Sequence, residues 1–342
     1  MNGIDLYDGI TLHQGDCRDI MRTYPDQHFD AVITDPPYGI AFQGEKWDTA
    51  TPTGFQSWAQ SWGEEALRIL KPGGYILAFS APRTCHRLTS GLEDAGFEVR
   101  DTMAWIRADG KPAGMDLSSA FDRDAGVLDQ REGRVIERWD ISNAATKMSD
   151  YKTNATGKPV TDEAKAWEGW GVGLKPAWEP IVVARRPLEG RLVDNVREHG
   201  TGAMNIRAGM DAVNGLYPPN LLMGEQAMAA AVEQGSPDHV WPVFRYQPKA
   251  PTSERPKVGG VQHVTVKPLE LMRYLCRLVV RPGALILEPF AGSGTTLQAA
   301  AMENVRAVGC ELDDRYIPLI KERFKHGVEA PLDLFGLGGD AA

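Results

Sequence analysis

The first third of the chain alternates between short apolar runs and longer stretches in which apolar residues recur every three or four positions. The apolar runs predict strands at residues 10–13, 29–34, 74–80 and 97–107. The recurring spacing predicts helices at residues 18–24, 54–70 and 84–95. The cluster Lys71-Pro72-Gly73-Gly74 predicts a turn after the second of these helices. Short strands that alternate with helices indicate a parallel sheet with helices on both faces.

A second block of the same kind lies near the C-terminus. It predicts a helix from about residue 266 to the Arg-Pro-Gly at 281–283, a strand at 284–288, a helix at 295–302, a strand at 306–311 and a helix at 316–324. Between the blocks the chain is polar and irregular, apart from an apolar run at residues 180–184 and a helical signal at 225–234. Long irregular stretches in a compact protein are usually functional loops or disordered linkers. We interpret them as substrate-recognition insertions, with simple flexibility as the alternative.

The composition narrows the class of protein. Of the 342 residues, 42% are hydrophobic and 24% are charged, as is usual for a globular protein. The sequence has no apolar run that would span a membrane, and its N-terminal residues do not resemble a signal peptide. The four cysteines form no Cys-x-x-Cys pair, which argues against a zinc site and for a reducing compartment. We therefore expect a cytoplasmic protein without a metal ion.

The net charge of −9 does not by itself favour a nucleic-acid partner, but the charges are unevenly distributed along the chain. Between Arg245 and Arg281 the chain carries eight Lys or Arg residues and only two acidic ones, Glu254 and Glu270. A local basic face can neutralise phosphates whatever the total charge. A solvated basic face without a partner is an equally good alternative.

A Gly-rich turn follows the first strand of the C-terminal block, where residues 285–296 read LILEPFAGSGTT. Glycines allow a close approach of the backbone to a ligand, and the helix that follows offers free N–H groups. Glu311, at the end of the next strand, is placed to accept hydrogen bonds from ribose hydroxyls. A phosphate-binding loop requires Gly-Lys-Ser/Thr and a dinucleotide site requires Gly-x-Gly-x-x-Gly, so S-adenosylmethionine fits this turn better. A plain strand-to-helix turn is the structural alternative.

The tetrapeptide Asp35-Pro36-Pro37-Tyr38 follows the predicted strand at residues 29–34. An exocyclic base amine is a weak nucleophile because its lone pair is delocalised into the ring. Asp35 and the Pro36 carbonyl can accept its two N–H groups, and the prolines stiffen that geometry. Tyr38 offers a ring on which an extruded base can stack. The alternative is a turn that ends the strand, in which Asp35 caps backbone N–H groups and Tyr38 packs against its neighbours. We expect instead that the tetrapeptide and the Gly-rich turn form one active site.

Together, the two motifs resemble the DNA amino-methyltransferases that make N6-methyladenine or N4-methylcytosine. Because the tetrapeptide precedes the Gly-rich turn, the chain is similar to the permuted (beta) class of bacteria and phages, which includes restriction-modification enzymes. The resemblance covers residues 10–107 and 261–324. It implies an α/β, Rossmann-like S-adenosylmethionine-dependent methyltransferase fold, circularly permuted, with a target-recognition insertion. The implied parts are a catalytic half (1–107), a variable insertion that includes core strand 180–184 (108–262), a cofactor half (263–326) and a tail (327–342).

The resemblance also implies roles for individual residues. The segment 263–268, HVTVKP, is similar to the family's His-x-Thr-x-Lys-Pro, which places Thr265 and Lys267 near the methionine carboxylate. Asp16 is similar to the family's acid at the cofactor adenine, beside which Phe290 would pack. Residues 110–112 and 175–180 (KPAWEP) are further similar segments. The predicted cofactor-binding residues are Asp16, Asp35, Thr265, Lys267, Glu288, Phe290, Ala291, Gly292, Ser293, Gly294, Thr295, Thr296, Glu311 and Leu312. The predicted catalytic residues are Asp35, Pro36, Pro37 and Tyr38.

Rival activities are distinguished by single residues. Carbon-5 methylation of cytosine requires a Cys nucleophile, usually after a Pro, and none of the four cysteines follows one. Protein-glutamine methyltransferases have Asn-Pro-Pro-Tyr and place the cofactor turn first. N4-cytosine enzymes more often begin the tetrapeptide with Ser, so Asp35 favours N6 of adenine, with N4 of cytosine as the main alternative. An RNA methyltransferase and a catalytically dead DNA-binding decoy are less favoured.

The expected partner is duplex DNA, from which the target base flips before in-line methyl transfer. The residues predicted to contact DNA are Lys111, Arg245, Lys249, Arg255 and Lys257. The polar insertion contains four tryptophans, which either stack on bases or wedge into the duplex or, as the favoured interpretation, include some that form a small satellite core: Trp139, Trp167, Trp170 and Trp178.

The C-terminal tail suggests a second partner. Residues Pro331 to Phe335 resemble peptides that dock on the bacterial sliding clamp, except that Pro331 stands in place of Gln. A loose tail, or a strand that caps the N-terminal segment, is the favoured alternative. The sequence leaves a homodimer open.

Overall fold

The computed structural model describes residues 3–40, 48, 51–106, 115–133, 157–174, 176–209, 218–224, 245–246, 250–263, 265–325 and 328. The strands in these ranges are β1 (Ile4–Tyr7), β2 (Ile10–Gln14), β3 (Phe29–Thr34), β4 (Leu70–Phe79), β5 (Glu98–Ile106), β6 (Trp178–Arg185), β7 (Leu221–Gly224), β8 (Arg245–Tyr246), β9 (Lys257–Val258), β10 (Val261–Gln262), β11 (Leu285–Glu288) and β12 (Arg306–Glu311). The helices are α1 (Cys17–Met21), α2 (Pro52–Ile69), α3 (Cys85–Asp94), α4 (Leu117–Asp124), α5 (Asp162–Ala166), α6 (Leu192–His199), α7 (Leu269–Val279), α8 (Thr295–Met302) and α9 (Ile317–Phe324). None of the helices in these ranges is long and apolar enough to cross a membrane.

Ten strands form one sheet in the order β1-β2-β12-β11-β3-β4-β6-β5-β7-β8. All of its pairings are parallel except β1 with β2, β4 with β6 and β5 with β6. The predicted parallel sheet is therefore confirmed for most pairs and wrong at β6, which runs against both of its neighbours. The apolar run at residues 180–184 showed that a strand exists there, but an apolar run carries no information about strand direction.

The two faces of the sheet bury separate hydrophobic clusters, because side chains alternate along each strand. On β3, Ala31 and Ile33 join one cluster, whereas Val32, which lies between them, joins the other. The first cluster packs against α7, α8 and α9, and the second packs against α1, α2 and α3. Helices thus cover both faces, as the alternating pattern predicted.

The turn predicted at Lys71-Pro72-Gly73-Gly74 is part of β4 instead. The cluster does end α2, but the chain continues directly as a strand with an irregular register beside β3. Gly73 has a φ of +80°, and a Cβ at this position would lie 2.9 Å from Gly202 Cα. The glycine therefore permits a kink and close packing within the strand rather than a reversal of the chain.

The segment predicted as irregular after residue 185 contains regular elements, including α6 and β7. Asn195 of α6 is buried, and its amide donates to the Pro72 carbonyl at 2.9 Å and to the Thr201 carbonyl at 3.0 Å. The helix predicted at residues 225–234 lies outside the described residues.

The chain divides into two compact units, and the smaller comprises Asp109–Ala177. A buried ion pair holds this unit together, with Arg131 Nε 2.6 Å from Asp122 Oδ2. Among its described residues the only buried hydrophobic side chain is Ala164, whereas Trp167 and Trp170 are 40% and 60% exposed. The rings of Trp167 and Trp170 pack edge to face, with centroids 5.3 Å apart, but at this exposure the two do not form a buried core. Trp139 lies outside the described residues, and Trp178 begins β6 in the larger unit.

Candidate active site

The two sequence motifs meet at the carboxyl edge of the sheet, where the parallel strands end. Strand β11 pairs with β3 on one side and with β12 on the other, so the Gly-rich turn follows the strand next to the one that carries the tetrapeptide. A buried hydrogen bond joins the strand ends, because Thr34 Oγ1 donates to Glu288 Oε1 at 2.5 Å. Ligands of open α/β sheets bind outside this edge. The fold therefore brings together residues that lie far apart along the chain.

The Asp35 carboxylate lies within a cluster of charged and polar groups. Its Oδ2 accepts a hydrogen bond from Lys267 Nζ at 2.7 Å, and its Oδ1 accepts one from the Tyr38 hydroxyl at 2.8 Å. Lys267 also donates to the Tyr38 hydroxyl oxygen at 2.9 Å. Glu179 completes the cluster, with its Oε2 3.1 Å from the Tyr38 oxygen and 3.4 Å from Lys267 Nζ. Two carboxyl groups thus share one ammonium and one hydroxyl.

Aromatic rings enclose the Lys267 ammonium. Its Nζ lies 4.8 Å from the centroid of Phe79, 5.3 Å from that of Tyr38 and 5.9 Å from that of Trp105. Aromatic faces attract cations, and the attraction is stronger away from water. Burial raises the pKa of Tyr38 well above its usual value, and the carboxylates of Asp35 and Glu179 raise it further. The Tyr38 side chain is therefore a neutral hydroxyl, able to donate a hydrogen bond.

The backbone after Tyr38 is held by Asp48. Asp48 Oδ1 accepts from Gly39 N at 2.7 Å, and its Oδ2 accepts from Ile40 N at 3.2 Å. Gly39 has a φ of +66°, and a Cβ there would lie 2.8 Å from the Phe55 ring. Within the tetrapeptide, Pro36 is buried and Pro37 is half-buried. These contacts fix the direction in which the chain leaves the tetrapeptide.

The Gly-rich turn uses left-handed backbone at Gly292 and Gly294, where φ is +52° and +78°. A Cβ at Gly294 would lie 2.9 Å from Ile320, and one at Gly292 would lie 3.1 Å from the His263 ring. Gly292 N donates to Glu311 Oε2 at 2.7 Å, and Ala291 N donates to the Cys310 carbonyl at 2.8 Å. The turn is thereby tied to the end of β12.

Two glutamates near the turn have raised pKa values for the same reason, burial. Glu288 is 1% exposed, has a pKa raised to about 8, and accepts from Thr34, Phe290 N and Thr296. Its carboxyl group therefore supports the turn from within the core. Burial raises the pKa of Glu311 to about 7, and this carboxyl accepts from the backbone N–H groups of Gly292 and Asp313. Glu311 stands at the strand end, beside the predicted cofactor position.

The other predicted cofactor residues occupy varied environments. Asp16 caps the N-terminus of α1 and pairs with Arg18 at 2.6 Å; hydrogen bonding to Arg18 lowers the pKa of this carboxyl. Phe290 packs against Trp58 and Trp62, with ring centroids 5.5 Å apart in both pairs. Thr265 N lies 3.3 Å from His263 Nδ1. Leu312 is 65% exposed.

Two residues that the sequence analysis did not single out belong to this region. Arg323 of α9 donates from Nε to the Ser293 carbonyl at 2.5 Å and from a terminal nitrogen to Thr295 Oγ1 at 3.0 Å. It therefore supports the turn from behind, within a helix whose spacing predicted only an apolar face. Glu179 lies in the KPAWEP segment that was noted, and this similarity was the only signal for it.

The predicted DNA contacts are only partly visible. Lys257 is exposed in β9, which forms a hairpin with β10. Arg255 Nε donates to the Ala250 carbonyl at 3.1 Å. Lys111, Lys249 and the side chain of Arg245 lie outside the described residues.

Comparisons with known proteins agree with this geometry. A family model of the N6/N4 type, described as DNA methylase, matches residues 29–322. The Type II methyltransferase M.HindIII of Haemophilus influenzae is 28% identical over 312 residues, which span 90% of this chain and 81% of that protein. The solved structure of the cytosine-N4-specific PvuII DNA methyltransferase has a TM-score of 0.52 at 15% identity, over 92% of this chain and 86% of that chain. A complex of M1.HpyAVI with SAM has a TM-score of 0.46 at 16% identity, over 92% and 99% of the two chains.

These comparisons confirm the predicted resemblance and the Rossmann-like methyltransferase fold. The family uses S-adenosylmethionine, which confirms the cofactor prediction at the level of the family. The roles of the individual site residues and the choice of base stay predictions. The family model matches most of the chain, and the chain therefore belongs to the N6/N4 family of DNA methylases.

Proposed function

We propose that this DNA methylase transfers a methyl group to N6 of adenine in duplex DNA. The observation that carries the proposal is the position of Asp35, a carboxylate at the tip of β3 next to the Gly-rich turn after β11. N4 of cytosine is the second candidate, since the PvuII enzyme is named as cytosine-N4-specific. At 15% identity that likeness extends to the fold alone, so Asp35 is the better guide to the base.

The residues around the turn suit S-adenosylmethionine. The left-handed glycines let the backbone approach a ligand closely, and the carboxyl of Glu311 can accept hydrogen bonds from ribose hydroxyls. Phe290, packed against Trp58 and Trp62, offers an apolar surface to an adenine ring. When bound, the cofactor supplies a methyl group on a positively charged sulfur. Lys267 was predicted at the methionine carboxylate, but its ion pair with Asp35 supports a place beside the catalytic carboxylate.

The tetrapeptide would prepare the target amine for attack. Asp35 accepts one N–H of the amine and the Pro36 carbonyl accepts the other, so the nitrogen lone pair is turned toward the methyl carbon. As the nitrogen takes the methyl group from the cofactor sulfur, Asp35 would accept the surplus proton of the amine and pass it to water. Tyr38 stacks on the flipped base. Most of the rate enhancement then comes from positioning and electrostatics.

The decisive experiment uses S-adenosylmethionine labelled with tritium on its methyl group. The protein is incubated with unmethylated duplex DNA, the DNA is digested to nucleosides, and the labelled nucleoside is identified by chromatography. Label in N6-methyldeoxyadenosine is the expected result. Label in N4-methyldeoxycytidine would keep the mechanism and overturn the choice of base. If the protein binds the cofactor but leaves DNA unlabelled, the proposed function is wrong.

Duplex DNA is the partner that this function requires. A homodimer and the sliding clamp stay predictions, and the clamp-like residues 331–335 lie outside the described residues. The predicted cytoplasmic location is likewise still to be tested.

A further inference from the structure

The cluster around Asp35 poses a chemical problem for the proposed function. A target amine needs a strong acceptor, yet both Asp35 oxygens already accept hydrogen bonds, from Lys267 and from Tyr38. An ammonium 2.7 Å away withdraws electron density from the carboxylate and weakens it as an acceptor for a neutral amine. Another group must therefore hold Lys267 while the amine is bound.

Glu179 is that second acceptor. Its Oε2 lies 3.4 Å from Lys267 Nζ and 3.1 Å from the Tyr38 oxygen, so both donors stand between two carboxyl groups. The Tyr38 hydroxyl has one proton and can donate to only one carboxyl group at a time. A small rotation of each donor would transfer it from Asp35 to Glu179, and the buried Lys267 ammonium would keep a carboxylate partner.

The topology explains how Glu179 reaches the site. Strand β6 runs antiparallel to β4 and β5, so its first residues lie at the edge where the parallel strands end. Glu179 pairs with Trp105 across β5, and the Ser80 N–H donates to the Pro180 carbonyl at 2.9 Å. The side chain is 14% exposed, and the Lys267 side chain is 9% exposed. Glu179 is therefore anchored on a central strand rather than on a loop.

We propose that Glu179 is a positioning residue for methyl transfer, which takes the Lys267 ammonium from Asp35 when the target amine enters. This inference rests on the proposed function. Asp35 accepts the amine, Lys267 remains paired, and the Tyr38 hydroxyl can follow Lys267 toward Glu179. Glu179 itself touches neither the base nor the cofactor in this arrangement.

The test compares the wild type with Glu179→Gln, which keeps the size of the side chain and removes its charge. At saturating cofactor and DNA, the single-turnover rate constant should fall about 10- to 100-fold, the range for loss of a hydrogen bond between charged groups. The dissociation constant for S-adenosylmethionine and the melting temperature should stay close to those of the wild type. Glu98→Gln is the matched control, because Glu98 pairs with Arg185 at the other end of the same two strands.

A double-mutant cycle with Lys267→Met separates positioning from a general structural role. If Glu179 acts through Lys267, adding Glu179→Gln to Lys267→Met should slow transfer by no more than about 2-fold beyond the single variant. If the double variant instead loses the product of the two single fold-reductions in rate constant, the two residues act independently and the proposal is wrong. The proposal is also wrong if Glu179→Gln transfers the methyl group as fast as the wild type. A loss of cofactor binding or of stability that accounts for the slower rate would overturn it as well. A wild type that does not methylate DNA would instead show that the proposed function is wrong.

Discussion

Lys267 Nζ lies 2.7 Å from Asp35 Oδ2, although 232 residues separate the two along the chain. Asp35 follows β3, and Lys267 precedes α7, which packs on the sheet through one of the two hydrophobic clusters. The pair therefore joins the block that carries the tetrapeptide to the block that carries the Gly-rich turn. The hydrogen bond between Thr34 and Glu288 joins the same two blocks inside the core.

Replacing Asp35 with Ala should abolish methyl transfer and leave cofactor binding largely intact. The amine loses its carboxylate acceptor, which should slow transfer by about 100-fold or more. Lys267 keeps Glu179 as a partner, so the substitution does not leave its charge unpaired. Single-turnover transfer and binding of S-adenosylmethionine are the two measurements, with Asp8→Ala, in an exposed turn, as the control. Normal turnover by Asp35→Ala would show that Asp35 has another role.

The elements at the centre of the fold could be predicted from the sequence with little error. Phe29–Thr34, Thr295–Met302 and Arg306–Glu311 have the predicted bounds. Each has apolar residues that are buried in the core and is bounded by residues that end it, so the hydrophobic period and the boundary residues indicate the same element. The meeting of the tetrapeptide with the Gly-rich turn followed from the rule that parallel strands end at one edge.

Two kinds of contact could not be predicted from the sequence: those that depend on the direction of a strand, and those between residues far apart along the chain. The position of Glu179 depends on the reversed direction of β6, which an apolar run does not encode. Arg323 reaches the Ser293 carbonyl because α9 packs behind the turn, although 30 residues separate the two. In the smaller unit, Asp122 and Arg131 form a core contact with charged residues, which hydrophobic periodicity does not register.

The affinity for S-adenosylmethionine should rise with pH around neutrality because of Glu311. Burial raises the pKa of this carboxyl to about 7, so it ionises between pH 6 and pH 8. Ribose hydroxyls donate more strongly to a carboxylate than to a carboxylic acid, so binding should tighten severalfold over this range. Titration of the cofactor at several pH values measures the effect. Glu311→Gln should bind more weakly and lose the pH dependence; a dependence retained in the variant would assign it to another group.

Glu288 should make the protein less stable as the pH rises. Burial raises the pKa of this carboxyl from its ordinary value of 4.5 to about 8, so between these values the folded chain holds a proton that the unfolded chain has lost. The stability that this proton contributes is fully present below pH 4.5 and is lost by about pH 8. The shift corresponds to roughly 5 kcal/mol of unfolding free energy.

The variant Glu288→Gln isolates this contribution, because an amide can satisfy the same neighbours without ionising. Relative to the variant, the wild type should lose unfolding free energy between pH 5.5 and pH 8.5. Urea unfolding at both pH values measures the difference, and Glu98→Gln, at a partly exposed ion pair, controls for removal of any carboxylate. Equal pH dependence in the wild type and Glu288→Gln would mean that Glu288 is ionised in the folded protein throughout this range.

Arg323 should control cofactor affinity without taking part in methyl transfer. Its guanidinium binds the Ser293 carbonyl, Thr295 Oγ1 and the Glu254 carbonyl at the same time, which a single ammonium cannot reproduce. Arg323→Lys keeps the positive charge but loses some of the hydrogen bonds to the Gly-rich turn. The dissociation constant for S-adenosylmethionine should therefore rise about 10-fold, which corresponds to the loss of roughly one hydrogen bond. The rate constant at saturating cofactor should change much less, since the hydrogen bonds of Arg323 among the described residues go to the Gly-rich turn, Gln298 and Glu254. Arg197→Lys, on the exposed side of α6, is the control. If Arg323→Lys binds the cofactor as the wild type does, the turn keeps its shape without this guanidinium.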